Sequence, residues 1–78
     1  MKRYVKSSTN ELMKWFRSDE VDELMKGMSR SEKRIIGRLA NAADIDNYFY
    51  GMVETLEMLE VHVSDAFETF IQEFAERM

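Results

Sequence analysis

The sequence predicts an all-α protein. The chain has no proline and only three scattered glycines among its 78 residues, so we expect helices joined by tight connections, not domains joined by linkers. Serine precedes glutamate by three positions at two places, which is the capping-box pattern of a helix start. Apolar residues then recur at helical spacing over most of the chain. We therefore expect a small bundle of three or four helices with a long amphipathic C-terminal helix, and we expect it to be dimeric.

The composition limits the class of protein. A single domain of this length has a modest core, yet 45% hydrophobic residues make it too apolar to be disordered. The absence of cysteine excludes disulfides and thiolate metal sites and fits a cytoplasmic location. No apolar run approaches the roughly 20 residues of a membrane span, so we expect no membrane association.

Charge is distributed unevenly along the chain. Residues 1–38 hold ten Lys/Arg and six Asp/Glu, a net charge of +4, whereas residues 39–78 hold one Arg and nine Asp/Glu, a net charge of -8. The basic half is suited to nucleic acid or an acidic partner, and the acidic half to a basic protein surface.

The first half of the chain predicts an arm followed by short helices. We interpret residues 1–8 as an extended basic arm, and Ser8 with Glu11 as the capping box that follows it. Within residues 10–43, the apolar side chains near Trp15 and those near Val21 fall on opposite sides of an ideal helix, so one straight helix cannot bury both. We place a break near Ser18 and Asp19 and end the second piece at Gly27. Ser29 and Glu32 form the next capping box.

The second half predicts one long helix over residues 45–77, capped by Asp44. Its apolar positions alternate steps of four and three, which is a heptad seam: Ile45, Phe49, Met52, Leu56, Leu59, Val63, Ala66 and Phe70. We expect self-association along this seam through Phe49, Met52, Leu56, Leu59, Val63 and Phe70. The alternative is a break at "HVSD", where Ser64 or Asp65 would cap a new helix and the chain would fold back as a monomeric bundle.

The segment "ETLEMLEVHVSDAFE" surrounds the single histidine, His62, with five carboxylates. A metal site on helices needs Glu-x-x-His or His-x-x-x-His spacing, and neither occurs. The chain also lacks a glycine-rich phosphate loop and a nucleophile motif. We therefore expect no catalytic, metal or cofactor-binding residues and no small-molecule substrate. Glu60 lies at the rim of the apolar stripe, where we expect it to pair with a cation of the basic half or of a partner.

Two apolar side chains, Met58 and Val61, point into the carboxylate face of the predicted helix. One interpretation is scattered surface apolars beside solvated charges. The other is a docking patch for a basic, partly apolar protein, made of Glu54, Glu57, Met58, Val61, Asp65 and Glu68. On this patch we base the hypothesis of a non-enzymatic protein-binding module, an inhibitor of the anti-CRISPR or anti-restriction style found in phages and mobile elements.

A basic face provides the alternative function. Lys33, Arg34 and Arg38 lie opposite the apolar stripe of residues 30–43. They could form a solvated face, contact the acidic half of another subunit, or contact phosphates in a small DNA-binding regulator. A third alternative is a structural assembly subunit that binds only its own copies.

The order of a basic arm "KRYVKS", a helix, and "GMSRSEKRIIGR" opening a second helix resembles ribbon-helix-helix repressors over residues 2–43. The resemblance implies arms paired as strands in the major groove, with Arg3 and Lys6 reading bases. The sequence departs from that pattern where Lys33 and Arg34 follow the cap before any apolar residue.

Overall fold

The computed structural model describes residues 11–78, and this part of the chain is helical without any strand. The first helix, α1, includes residues 11–16. The others are α2 (Asp19–Lys26), α3 (Arg30–Ala40), α4 (Ile45–Met58) and α5 (Asp65–Glu76). The all-α class is thus confirmed, with five helical segments instead of three or four. None of the described helices is long and apolar enough to cross a membrane. The arm at residues 1–8, with Arg3, Lys6 and the Ser8 cap, lies outside the described residues.

Local capping chemistry starts and stops the helices where the sequence predicts. Ser18 occupies the N-cap of α2 and Gly27 its C-cap. Ser29 and Glu32 form a complete capping box at α3, with amide-to-side-chain distances of 3.1 Å and 2.9 Å. The Asp44 carboxylate accepts a hydrogen bond from the Asn47 amide at the start of α4.

The prediction of an unbroken helix over residues 45–77 is wrong. Helix α4 ends at Met58 and α5 begins at Asp65, with Ser64 as its N-cap; the alternative break at "HVSD" is the one observed. An unbroken helix would be about 50 Å long, whereas the longest dimension of the folded chain is 39 Å. The bend returns α5 to the rest of the chain, where its apolar face is buried without a second copy.

The core is aromatic and is built around α5. Phe67, Phe70 and Phe74 are fully buried. Helix α5 packs against α2 and against the aromatic rings of α1, while α3 packs against α4. The Phe70 ring stacks on Trp15 with 5.4 Å between centroids, and Phe74 stacks on Phe49 at 4.2 Å. Such ring pairs stabilise the fold beyond the apolar area that they bury.

Candidate docking groove

The bend between α4 and α5 creates a surface groove of about 360 Å³, which we call the acidic groove. Its lining surface is mainly apolar and includes three carboxylates and an amide; we call the apolar part of the lining its floor. The apolar lining residues are Val53, Leu56, Val61, Val63 and Ile71, and the polar ones are Glu57, Glu60, Glu68 and Gln72.

The C-terminal end of α4 determines how the groove is shaped. The Val61 amide donates to the Leu56 carbonyl at 3.1 Å, and the Glu60 amide donates to the Glu57 carbonyl at 3.1 Å. This pair of hydrogen bonds is a Schellman motif, in which the residue after the C-cap adopts a left-handed conformation. Glu60 occupies that position with φ = 52°. The motif brings Val61 back to the groove, which Leu56 also lines.

A buried carboxylate, Glu32, ties the other end of the bend to α3. Its Oε2 accepts a hydrogen bond from the Ser64 amide at 2.8 Å, and its Oε1 accepts one from the Ser64 hydroxyl at 2.7 Å and one from the Ser29 amide at 2.9 Å. One side chain therefore satisfies donors at the N-termini of both α3 and α5. Burial alone would raise the pKa of Glu32, but these hydrogen bonds outweigh it and hold the pKa below its usual value.

The structure brings together half of the predicted docking patch. Glu57, Val61 and Glu68 line the acidic groove, whereas Glu54, Met58 and Asp65 are exposed and are not among its lining residues. Met58 is 77% exposed and Val61 is 46% exposed.

The other six lining residues were not predicted as part of the docking patch: the sequence placed Leu56 and Val63 in the seam and Glu60 at the rim of the apolar stripe. Glu60 makes no ion pair among the described residues but borders the groove, as do Val53, Ile71 and Gln72. A helical projection of an unbroken helix cannot place residues of α4 beside residues of α5. The signal available in the sequence was the Ser64 cap, which implies the bend.

The predicted self-association seam is partly absorbed into the single chain. Phe49 and Phe70 are buried in the core, Met52, Leu56 and Val63 are half-buried, and Leu59 is 68% exposed. Within one folded chain, Leu59 is therefore the seam residue most accessible to a partner.

The basic face of α3 is also open to solvent. Lys33, Arg34 and Arg38 are exposed, and Arg38 borders a second groove, of about 450 Å³, between α3 and α4. The salt bridges within residues 11–78 join Lys26 to Glu23 and Arg77 to Glu73. Each salt bridge joins residues three or four positions apart along the chain. Among the described residues, therefore, no ion pair neutralises this basic face, and none connects the basic half of the chain (residues 1–38) to the acidic half (residues 39–78).

The described residues offer no constellation typical of catalysis. His62 is exposed in the loop between α4 and α5, and within residues 11–78 no three His, Asp or Glu side chains converge as metal ligands would. Every buried polar side-chain atom in this part of the chain has a hydrogen-bond partner.

Comparison with known protein families, curated proteins and solved structures finds no significant match to this chain.

Proposed function

We propose that this chain is a non-enzymatic, cytoplasmic binding protein that captures a basic, partly apolar protein segment in the acidic groove. The observation that carries the proposal is the position of three carboxylates, Glu57, Glu60 and Glu68, around an apolar floor. Lysine and arginine side chains match both features, since their alkyl stems cover apolar surface while their charged ends remain with carboxylates.

Long-range charge supports the same partner class. Residues 39–78 carry a net charge of -8, and a surface field of one sign accelerates encounter with an oppositely charged partner. More specifically, we propose that the protein is an inhibitor of the phage or mobile-element kind and that it covers a basic surface of a nucleic-acid-binding enzyme.

Binding of a fluorescent amphipathic lysine–leucine peptide, measured by anisotropy at low salt, tests the groove. The variant E57K/E68K reverses two groove carboxylates, and E54K/E76K makes the same change in net charge at exposed positions outside the groove. We expect the groove variant to lose at least about tenfold in affinity and the control to lose only a few-fold. Equal losses, with helicity unchanged by circular dichroism, would mean that general charge attraction and not the groove captures the peptide.

A second pair of variants tests the apolar floor. Val61→Ser removes an apolar group of the groove, and Met58→Ser removes a more exposed one outside it. Affinity for the peptide should fall with the first change and remain with the second, because only Val61 would lose contact with water on binding.

The alternative function is DNA binding through Lys33, Arg34 and Arg38. The observation in its favour is that these three exposed cations have no ion-pair partner among residues 11–78. It predicts a complex with a random-sequence duplex that dissociates steeply as salt is added. Light scattering with the duplex at low salt separates the two functions, and self-association without either ligand would favour the structural assembly subunit.

A further inference from the structure

The loop over residues 59–64 contains one residue, Glu60, in a backbone conformation that it does not favour. Glu60 is the one non-glycine residue with positive φ among those described, and a side chain with a Cβ is strained there. The loop sequence, "LEVHVS", contains neither glycine nor proline. Leu59 is 68% exposed at the same place. The bend thus contains none of the residues that prevent a helix from continuing.

The apolar pattern crosses this loop without a change of phase. Leu56, Leu59, Val63 and Ala66 follow one another at steps of three, four and three, so they would form one stripe if the loop were helical. If residues 59–64 became helical, Glu60 would no longer have a positive φ, and Leu59 would lie on the stripe that includes the half-buried Leu56.

Straightening one isolated chain is costly because α5 would leave the core. Phe67, Phe70 and Phe74 have no exposed surface in the folded chain, and all three would enter water. The surface that α5 would leave exposed is complementary to the α5 helix of a second copy of the chain.

We propose that two copies of this chain exchange their α5 helices, with residues 59–64 as the hinge that becomes helical in the exchanged dimer. Each α5 regains on the partner its contacts with α2 and the stacking of Phe70 on Trp15 of α1. The two long helices bury Leu59 and the half-buried seam residues between them. Exchange of an identical element is a low-cost route to a dimer.

Glu32 opposes the exchange. It accepts hydrogen bonds from both the amide and the hydroxyl of Ser64, and in a continuous helix that amide would donate to the carbonyl four residues earlier. The bent monomer is therefore favoured at low concentration, and the exchanged dimer accumulates as concentration rises. This inference does not depend on which ligand occupies the acidic groove.

A pair of introduced cysteines distinguishes the exchanged dimer from a side-by-side one. A Cβ at Gly27 would lie 3.1 Å from the Cβ of Ala66, and a disulfide needs about 3.5–4.5 Å, a shift of a few tenths of an ångström. The chain has no other cysteine. In G27C/A66C the disulfide joins α2 to α5, so it closes within one chain in the monomer and between two chains after exchange.

The experiment incubates reduced G27C/A66C at millimolar concentration, separates monomer and dimer by size exclusion with light scattering, and oxidises each fraction. In non-reducing electrophoresis we expect the dimer fraction to run as two linked chains and the monomer fraction as one. A dimer fraction that yields single chains would overturn the proposal, and so would the absence of any dimer at that concentration.

Substitutions at Glu60 test the hinge without cysteines. Glycine relieves the strain of the bend and weakens a continuous helix, so Glu60→Gly should raise the dissociation constant of the dimer by about a hundredfold over two hinges. Alanine keeps the strain of the bend and is the best helix former, so Glu60→Ala should leave that constant unchanged or a few-fold lower. Equal effects of the two substitutions contradict a helical hinge.

Discussion

Glu32 is a buried carboxylate that links the starts of two helices. Its carboxylate is buried yet accepts three hydrogen bonds, from donors at the starts of two helices. A neutral side chain could not accept all of them with the same strength, because hydrogen bonds to a charged acceptor are the stronger ones. The charge of Glu32 is therefore part of what connects α3 to α5.

The first prediction concerns the pH dependence of stability. Because hydrogen bonding lowers the pKa of Glu32 in the folded state, its stabilisation is complete above the unfolded pKa of about 4.3 and is lost as pH falls through the folded-state pKa. Glu32→Gln should reduce the free energy of unfolding by about 1–3 kcal/mol at neutral pH. In strong acid the difference should shrink, because the wild-type carboxyl is then neutral as well.

Urea unfolding of both proteins, followed by circular dichroism across the acidic range, measures this difference. Glu54→Gln is the matched control, since Glu54 is exposed on α4. If the difference between wild type and Glu32→Gln did not change with pH, the charge of Glu32 would not be the source of its stabilisation.

At the scale of elements, the loop between α4 and α5 combines a favourable hydrogen-bond pattern with an unfavourable residue. The Schellman hydrogen bonds of Glu60 and Val61 are both present, but glycine is the residue that usually occupies the left-handed position. The stability of the bent monomer is therefore below what its backbone geometry allows.

We expect Glu60→Gly to stabilise the monomer by up to about 1 kcal/mol, which corresponds to roughly 4–8 °C in Tm for a domain of this size. Thermal unfolding at low protein concentration, where the monomer predominates, measures the shift. Glu54→Gly is a control of opposite sign, because glycine within α4 should destabilise the protein by about 1 kcal/mol. A lower Tm for Glu60→Gly would mean that the conformation of Glu60 is not strained.

Local capping signals predicted most helix boundaries correctly. The heptad seam gave the wrong prediction at one place, the break between α4 and α5. Ser29 and Asp44 each accept a hydrogen bond from an amide in the first turn of their own helix, and the Ser18 hydroxyl donates to the Trp15 carbonyl three residues earlier. All three effects are local, so they can be deduced from neighbouring residues.

Ser64 also caps α5 locally, since its hydroxyl oxygen accepts from the Phe67 amide. The position of this start beside α3 involves hydrogen bonds between Ser64 and Glu32, which lie 32 positions apart. The apolar period of a sequence does not reveal such a contact, and six of the nine residues that line the acidic groove were left out of the predicted patch because the helix was taken as unbroken.

At the scale of the whole molecule, the acidic groove and the exchange of α5 make opposite demands on one loop. The groove needs the bend, because Val61 reaches it through the Schellman motif while Ile71 and Gln72 reach it from α5. The exchanged dimer needs the same residues to be helical, and Val61 would then lie away from the seam. A ligand of the groove should therefore bind the monomer and not the exchanged dimer.

The final prediction is that the lysine–leucine peptide dissociates the dimer. A ligand that binds only one of two states shifts their equilibrium by a factor that grows with its concentration, about a hundredfold per chain at 100 times its dissociation constant. Light scattering after long incubation should show the dimer population fall as peptide is added, whereas E57K/E68K should keep its dimer. Failure of the peptide to bind at all would count against the proposed function alone. A peptide that binds and leaves the dimer intact would show that the groove survives in the dimer, and the hinge over residues 59–64 would then have to remain bent in both states.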